Sequence, residues 1–165
     1  MAYRKEVISI LVDNQSNVLT RIVSLFGRRG FNIDSLTVST TNDKDISRIT
    51  IVFNGTDQSL YQIMTQTKKL EVVKDIFTLD SSNSLYRELL LVKIKTDKTE
   101  RTSLKEIVDI YRGKIIDLCK DSMIIELTGA PEKLDGFMNM IDCYDVVEVC
   151  RTGITGIARG LEPVR

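Results

Sequence analysis

The chain has 165 residues, of which 42 % are hydrophobic, and its 23 basic and 23 acidic side chains give a formal net charge of zero. This composition excludes a disordered chain, and it argues against a protein that mainly grips nucleic acid, because such a protein needs a basic excess. No apolar run approaches the ~18 residues of a membrane span, and acidic Glu6 and Asp13 interrupt the N-terminal region, so a signal peptide is not expected.

The first half of the chain alternates strand-like and helix-like stretches. Strand-like runs rich in β-branched residues lie at residues 7–12, 33–39, 49–53 and 72–79. A helix pattern, with apolar residues spaced as on one buried face, lies between the first and second runs and another between the third and fourth. Their apolar residues are Leu19, Ile22, Val23 and Phe26, then Leu60, Ile63, Met64 and Thr67. The pattern predicts the order βαββαβ.

The second half repeats this order. Its strand-like runs lie at residues 89–95, 115–119, 123–127 and 146–150, and its helix stripes are Leu104, Ile107, Val108 and Tyr111, then Leu134, Phe137, Met138 and Ile141. The motif Arg-Gly-x-x-Ile-Asp follows the first helix of each half. The offset between matching positions falls from 83 residues at Gly30/Gly113 to 74 at Gly55/Gly129, which predicts a longer hairpin loop near residues 40–47.

Each half therefore has the pattern of a ferredoxin-like module, in which two helices cover one face of a four-stranded antiparallel sheet. The predicted fold class is α+β, with two tandem modules at residues 1–80 and 85–165 joined by a linker at residues 81–84. A module of roughly 80 residues has a marginal core, which favours pairing with a second copy or chain. Gly30 and Gly113 are predicted to be left-handed residues that end a helix.

A feature found in one copy only is a candidate for function. The polar residues 13–17 (DNQSN) precede the first helix, whereas the matching segment of the second copy has no asparagine, and Asn32 corresponds to apolar Ile115. Unpaired N–H groups and the helix dipole let a carboxylate bind at such a turn. An asparagine carbonyl accepts from ammonium and its amide donates to a carboxylate, which suits an amino acid. A simple helix cap by Ser16 or Asn17 is the alternative, and it is compatible with binding.

The βαββαβ module with this polar turn, followed by LFGRRGFNIDSLTV, resembles an ACT domain. The whole chain is similar to the family of small regulatory subunits of acetolactate synthase (acetohydroxyacid synthase), through the blocks RRGFNIDSLTV, SRITIVF, RELLLVKI, YRGKIIDL, KLDGFM and VVEVCRTGITGIARG. The resemblance implies a non-catalytic subunit that binds and activates the large catalytic subunit. It also implies feedback inhibition of valine, leucine and isoleucine biosynthesis by a branched-chain amino acid, for which valine is the first candidate.

The resemblance implies further properties of the complex. The catalytic subunit, a thiamine-diphosphate-dependent transferase, would carry thiamine diphosphate, Mg²⁺ and FAD, while this chain would hold no cofactor or metal and no catalytic residue. Two ACT domains would pair edge to edge in a homodimer, with the effector between them.

The resemblance also assigns effector binding to particular positions, which are Asn14, Asn17, Val18, Asn32 and Ile33. Asn17 stands where the family usually has glycine, a residue that lets the ligand carboxylate approach the backbone N–H groups. Asparagine tolerates a left-handed backbone better than other non-glycine residues. We therefore expect fold and pairing to persist while effector affinity falls or effector selectivity changes.

The C-terminal stretch RTGITGIARG, residues 151–160, is a second feature outside the repeat. Chain ends usually fray, but Ile154, Ile157 and the family pattern predict a docked segment that contacts the catalytic subunit or the other half of the dimer.

Other functions fit parts of the sequence. Acylphosphatase-like enzymes share the βαββαβ order but need an arginine in the loop after the first strand, which residues 13–17 lack, and the chain has no histidine to serve as a base. An RNA-binding module would stack bases on aromatic residues, of which the third strand offers only Phe53. A stand-alone ACT sensor for another enzyme or regulator shares the polar turn, but it leaves the second copy and the glycine-containing tail without a reason.

The three cysteines, Cys119, Cys143 and Cys150, include no CxxC pair. With no histidine in the chain, a zinc site is not expected. Their strand-like surroundings predict small buried hydrophobes in a reducing cytoplasm.

Overall fold

The computed structural model describes residues 3–160. In chain order its elements are β1 (Arg4–Asp13), α1 (Val18–Gly27), β2 (Ile33–Thr40), β3 (Ile46–Gly55), α2 (Asp57–Thr67), β4 (Val73–Thr78), β5 (Ser84–Lys95), α3 (Glu100–Ile110), β6 (Lys114–Leu118), β7 (Ser122–Gly129), α4 (Pro131–Met140), β8 (Asp145–Arg151) and β9 (Thr155–Ala158). Within the described residues there are two compact units, one of residues 3–85 with residues 153–160 and one of residues 86–152. The ends of the predicted domains, residues 1–2 and 161–165, lie outside the described residues.

The first unit has a four-stranded antiparallel sheet in the order β2-β3-β1-β4. Along β1, alternate side chains point to the helices, because successive residues of a strand face opposite sides. Ile8, Ile10 and Val12 enter the core in this way and pack with α1, α2 and β3. Phe26 of α1 meets Phe53 of β3 edge to face, with ring centroids 5.6 Å apart. This arrangement confirms the predicted ferredoxin-like module.

Helix α1 differs in one respect from the predicted stripe. The helix buries Val18, Ile22 and Phe26, whereas Leu19 is 39 % exposed. The prediction for Leu19 was wrong because the helix starts at Val18 and directs the i, i+4, i+8 row toward the sheet. The predicted left-handed residue is present after the helix, where Gly30 has φ +71° and the Phe31 N–H donates to Phe26 O at 3.1 Å.

The second unit repeats the strand order as β6-β7-β5-β8, with a core formed by α3, α4 and the strands. Gly113, however, does not have a positive φ; Arg112 has one instead, at +55°. The Gly113 N–H donates to Val108 O at 2.8 Å, so it occupies the place of Phe31 rather than that of Gly30. The glycine is needed there for close approach, because a Cβ would lie 3.1 Å from Val108 Cγ1 and 3.2 Å from Glu126 O.

The extra residues of the first copy go mainly into strands rather than into a loop. β2 and β3 have 8 and 10 residues, whereas β6 and β7 have 5 and 8. The connecting segments, residues 41–45 and 119–121, differ by only two residues. The expectation of a longer hairpin loop was therefore only partly right, since most of the added length extends strand pairing.

The prediction that the cysteines are buried was wrong, because all three are exposed. Cys150 pairs with Leu91 of β5, and every residue of β8 except Val146 is exposed. Cys143 lies in the turn before β8, and Cys119 directly follows β6. A strand-like composition does not fix which face of the strand a residue takes.

Residues 153–160, which follow β8, are docked on the first unit. Docking was predicted for residues 151–160, but as part of the second module, and the predicted contact with the catalytic subunit or the dimer partner stays a prediction. Ile154 is only 2 % exposed, and the Arg48 side chain donates to Gly156 O at 3.4 Å. A Cβ on Gly153 would lie 2.7 Å from Thr37 Oγ1, so the backbone is seated directly on β2. The buried strand residues that point away from the helices are Val7, Ser9, Thr50 and Val52.

Candidate effector-binding site

The turn between β1 and α1 holds Asn17 in a left-handed conformation, with φ 66° and ψ 0°. Few residues other than glycine adopt this region easily, and asparagine is one of those that do. Its side chain makes no capping hydrogen bond, and none of the side-chain hydrogen bonds found within residues 3–160 involves Ser16. The helix-cap explanation of this turn therefore lacks the bond that defines a cap.

The start of α1 offers backbone donors. Its first paired amide is that of Arg21, which donates to Asn17 O at 3.1 Å. The N–H groups of the three preceding helical residues, Val18 to Thr20, have no acceptor within residues 3–160, as helix geometry leads one to expect. The first turn contains no acidic side chain, so the helix dipole is uncompensated there and favours an anionic group.

An open groove of about 320 Å³ begins at Asn17 and follows the outer side of α1. Its lining residues are Asn17, Thr20, Arg21, Ser24, Leu25, Arg28 and Leu70. Neither Arg21 nor Arg28 forms an ion pair within residues 3–160, so this side of the helix is positively charged. Among the five predicted effector residues, Asn17 alone lines the groove.

Asn14 is tied to the loop between β2 and β3. Its Nδ2 donates to Lys44 O at 2.9 Å, and its backbone N–H donates to Asp45 O at 2.7 Å. Sequence reasoning missed this contact. No sequence pattern pointed to it, because Lys44 lies 30 residues from Asn14 in the chain.

The remaining predicted residues lie in two environments. Val18 is buried in the core of the first unit, and Ile33, at the start of β2, packs against the same cluster. Asn32 is exposed immediately before β2. The structure thus joins Val18 with Ile33 in one cluster and Asn14 with Asn17 in one turn. The assignment of all five residues to effector binding stays a prediction.

Comparison with known proteins defines the class. The family described as AHAS small subunit-like ACT domain matches residues 8–75, and the family described as Small subunit of acetolactate synthase matches residues 87–160. The first unit is thus an ACT domain of the kind found in the small, regulatory subunits of this class. The chain belongs to the family of acetolactate synthase small subunits, and as such it is a non-catalytic subunit that partners a catalytic one.

Individual relatives agree with this assignment. The acetolactate synthase small subunit of Mycolicibacterium smegmatis is 42 % identical over 153 residues, which cover 93 % of this chain and 90 % of that protein. The isozyme 3 small subunit of Escherichia coli is 39 % identical over 157 residues, covering 94 % and 96 %. The crystal structure of the small subunit from Thermotoga maritima superposes with a TM-score of 0.88 at 37 % identity, covering 96 % and 99 %. The predicted family and fold class are confirmed.

Within residues 3–160, every helix is too short or too polar to span a bilayer.

Proposed function

We propose that this chain raises the activity of the acetolactate synthase catalytic subunit and makes the complex sensitive to a branched-chain amino acid, with valine as the first candidate. The observation that carries the proposal is the turn at Asn17. Three helix N–H groups that have no acceptor within residues 3–160, together with a left-handed residue, form a backbone-lined site for a carboxylate. Ile33, which is half-buried against the core of the first unit, supplies apolar surface for a branched side chain.

The proposal includes a homodimer that pairs through the first unit. β2 lies at one edge of the first sheet, and edge strands present unpaired backbone groups that favour pairing with another chain. Val38 of β2 is 45 % exposed, so dimerisation along this edge would also bury apolar surface. The effector would then bind between the two ACT domains.

Thiamine diphosphate, Mg²⁺ and FAD belong, in this proposal, to the catalytic subunit in the cytoplasm. In the proposal this chain raises the activity of the catalytic subunit, and a bound amino acid lowers that activity again. The docked C-terminal segment, with Ile157 exposed at 58 %, provides one surface for the catalytic subunit or for the other half of the dimer.

Asn17 weakens the response to the effector in this proposal. Its side chain occupies space beside the unpaired N–H groups, where the family usually has a glycine. Since the turn itself keeps its left-handed geometry, the fold does not require glycine here, and the cost falls on ligand approach.

The test is reconstitution with the catalytic subunit of the same organism. Adding the full-length chain should raise acetolactate production, and valine, leucine or isoleucine should lower it again. Asn17→Gly should increase sensitivity to the effector. Asn42→Gly is the matched control, because Asn42 is an exposed loop asparagine of the same unit with no side-chain hydrogen bond within residues 3–160. No rise in activity on mixing would refute the proposal and favour a stand-alone amino-acid sensor.

A further inference from the structure

We propose that residues 153–160 form a strap that detaches from the first sheet while the sheet stays folded, and that the attached strap supports the pairing of two chains along β2. The strap lies on the face of the sheet that the helices leave open. This inference rests on the proposed function, since it concerns the homodimer proposed above. It names a contact within one chain on which the dimer edge depends.

The strap crosses the first sheet from β2 toward β4. It starts on the edge strand β2, where a Cβ on Gly153 would lie 2.7 Å from Thr37 Oγ1. Three residues later, Gly156 O accepts from Arg48, whose guanidinium carbon lies 5.9 Å from the centroid of the Phe77 ring on β4. The strap therefore follows a row of outward-facing side chains that the strand register places side by side, which are Thr37, Thr50, Ser9 and Phe77.

Few contacts hold the strap in place. Among residues 153–160, Ile154 has the one buried side chain. The bond from Arg48 to Gly156 O is long, at 3.4 Å, and the Arg159 N–H donates to Asn83 O at 2.9 Å near the far end. By contrast, β1 pairs with β3 through ten residues and with β4 on its other side. Because segments with few buried contacts open most easily, the strap should open while the sheet remains intact.

Two hydroxyl groups in the row beneath the strap oppose its attachment. Ser9 Oγ and Thr37 Oγ1 are buried and have no hydrogen-bond partner within residues 3–160. Both hydroxyls would regain hydrogen bonds to solvent once the strap has left. A buried hydroxyl without a partner is unfavourable, so these two groups destabilise the attached form and not the detached one. They keep the strap exchangeable.

Attachment of the strap affects the proposed dimer edge because the strap begins on β2. Within residues 3–160, β2 pairs with β3 alone, so its other side is available to a second chain. The outer face of β2 is covered at Gly153, where a Cβ would also lie 3.1 Å from Ser35 Cβ. When the strap leaves, only β3 and the core still hold this edge strand. Pairing along an edge needs a strand of fixed twist and register, so the attached form is the one that pairs.

Native-state hydrogen exchange on the full-length chain measures detachment. The amides of β9 and of Arg159 should exchange roughly 10-fold or more faster than those of β1. Ser9→Ala removes an unpaired hydroxyl and should slow exchange in the strap at least about 5-fold. Thr67→Val is the matched control, because Thr67 Oγ1 is also buried without a partner within residues 3–160 but lies on α2, away from the strap. Strap amides that exchange no faster than those of β1, or that respond equally to the two substitutions, overturn the inference.

Sedimentation equilibrium on the same proteins measures the link to the dimer. Ile154→Ala removes the buried side chain of the strap and should detach it. If both straps of a dimer must be attached, the dissociation constant rises as the inverse square of the attached fraction. A strap attached for one tenth of the time should therefore weaken the dimer about 100-fold. Ile110→Ala truncates an exposed isoleucine of α3 and should change neither the exchange of the strap nor the dissociation constant.

A second variant detaches the strap without altering Ile154. Gly153→Ala places a Cβ against Thr37 and should speed exchange of the strap and weaken the dimer in the same proportion. A detached strap with an unchanged dissociation constant, in either variant, refutes the link. A wild-type chain that stays monomeric refutes the homodimer of the proposed function, whereas a wild-type dimer that is indifferent to the strap refutes only this inference.

Discussion

Replacing Asn17 with glycine tests the conformation and the ligand site at the start of α1 independently. The residue has φ 66°, and its side chain forms no capping bond, so glycine removes no hydrogen bond that stabilises the fold. The substitution does remove a side chain next to N–H groups that have no acceptor within residues 3–160. Stability and effector affinity should therefore respond differently.

The expected change in stability is small. A left-handed backbone costs an ordinary L-residue about 1–2 kcal/mol, and asparagine less than that. Glycine removes this cost but adds about 0.4–1 kcal/mol of unfolded-state entropy. The two effects oppose each other, so the free energy of unfolding should change by less than about 1 kcal/mol. Asn17→Ala places a residue that tolerates the left-handed backbone less well than asparagine does, so the free energy of unfolding should fall by about 1 kcal/mol.

The expected change in binding is larger. One additional hydrogen bond between a backbone N–H and the effector carboxylate is worth about 1.5–3 kcal/mol, which corresponds to roughly 10- to 150-fold in affinity. Calorimetry with L-valine and urea unfolding of the same samples measure both quantities. Tight valine binding by the wild-type chain that Asn17→Gly leaves unchanged would refute the reasoning, as would a loss of stability in Asn17→Gly that matches Asn17→Ala.

Three further predictions concern the two units. Gly153→Ala should lower the free energy of unfolding by about 1–3 kcal/mol, because its Cβ would lie 2.7 Å from Thr37 Oγ1. Gly27→Ala is the control, because its Cβ meets nothing within 4 Å. Equal urea midpoints for the two variants would contradict the close packing of residues 153–160 on β2. Arg151→Met should cost about 3 kcal/mol, since it leaves the buried Glu88 carboxylate, with its side chain 5 % exposed, unpaired; Lys93→Met breaks the exposed pair with Glu148 and should hardly move the urea midpoint. Hydrogen bonds from the Thr99 hydroxyl and from the Glu100 and Thr99 N–H groups lower the pKa of Asp97. The contribution of Asp97 to stability is therefore present above the ordinary carboxyl pKa of about 3.9 and is lost as the pH falls through the lowered pKa. The Asp97→Asn variant should be less stable than the wild-type chain at pH 7, but it should lose less stability on acidification. Unfolding followed by circular dichroism measures both effects.

The local sequence pattern was sufficient to predict the helices and strands and their order. Alternating and 3.6-residue spacings reflect which side chains face a sheet or a helix, so they predicted both βαββαβ orders. These spacings were less informative about where an element begins. Helix α1 begins at Val18, and Val18 rather than Leu19 is its first buried residue. The repeat also predicted a left-handed residue after each first helix, but in the second unit Arg112 takes that conformation, because the turn is one residue out of step with the sequence motif.

The candidate site was predictable only in part. The difference between the two copies singled out Asn14 and Asn32, and the family pattern singled out Asn17 as the position of a left-handed turn, which the structure confirms. The partner of Asn14 was not predictable. Lys44 lies 30 residues away in the chain, and no periodicity relates the two positions.

The sequence by itself determined the two modules and the order of their strands and helices, because neighbouring residues and short spacings decide these features. Only the tertiary structure decided that residues 153–160 complete the first unit, that the β2–β3 loop holds the Asn14 amide, and that the cysteines face solvent. Those outcomes depend on contacts between distant segments and on which face a strand presents. The free energy of such contacts is a property of the packed surfaces, which no single stretch of sequence contains.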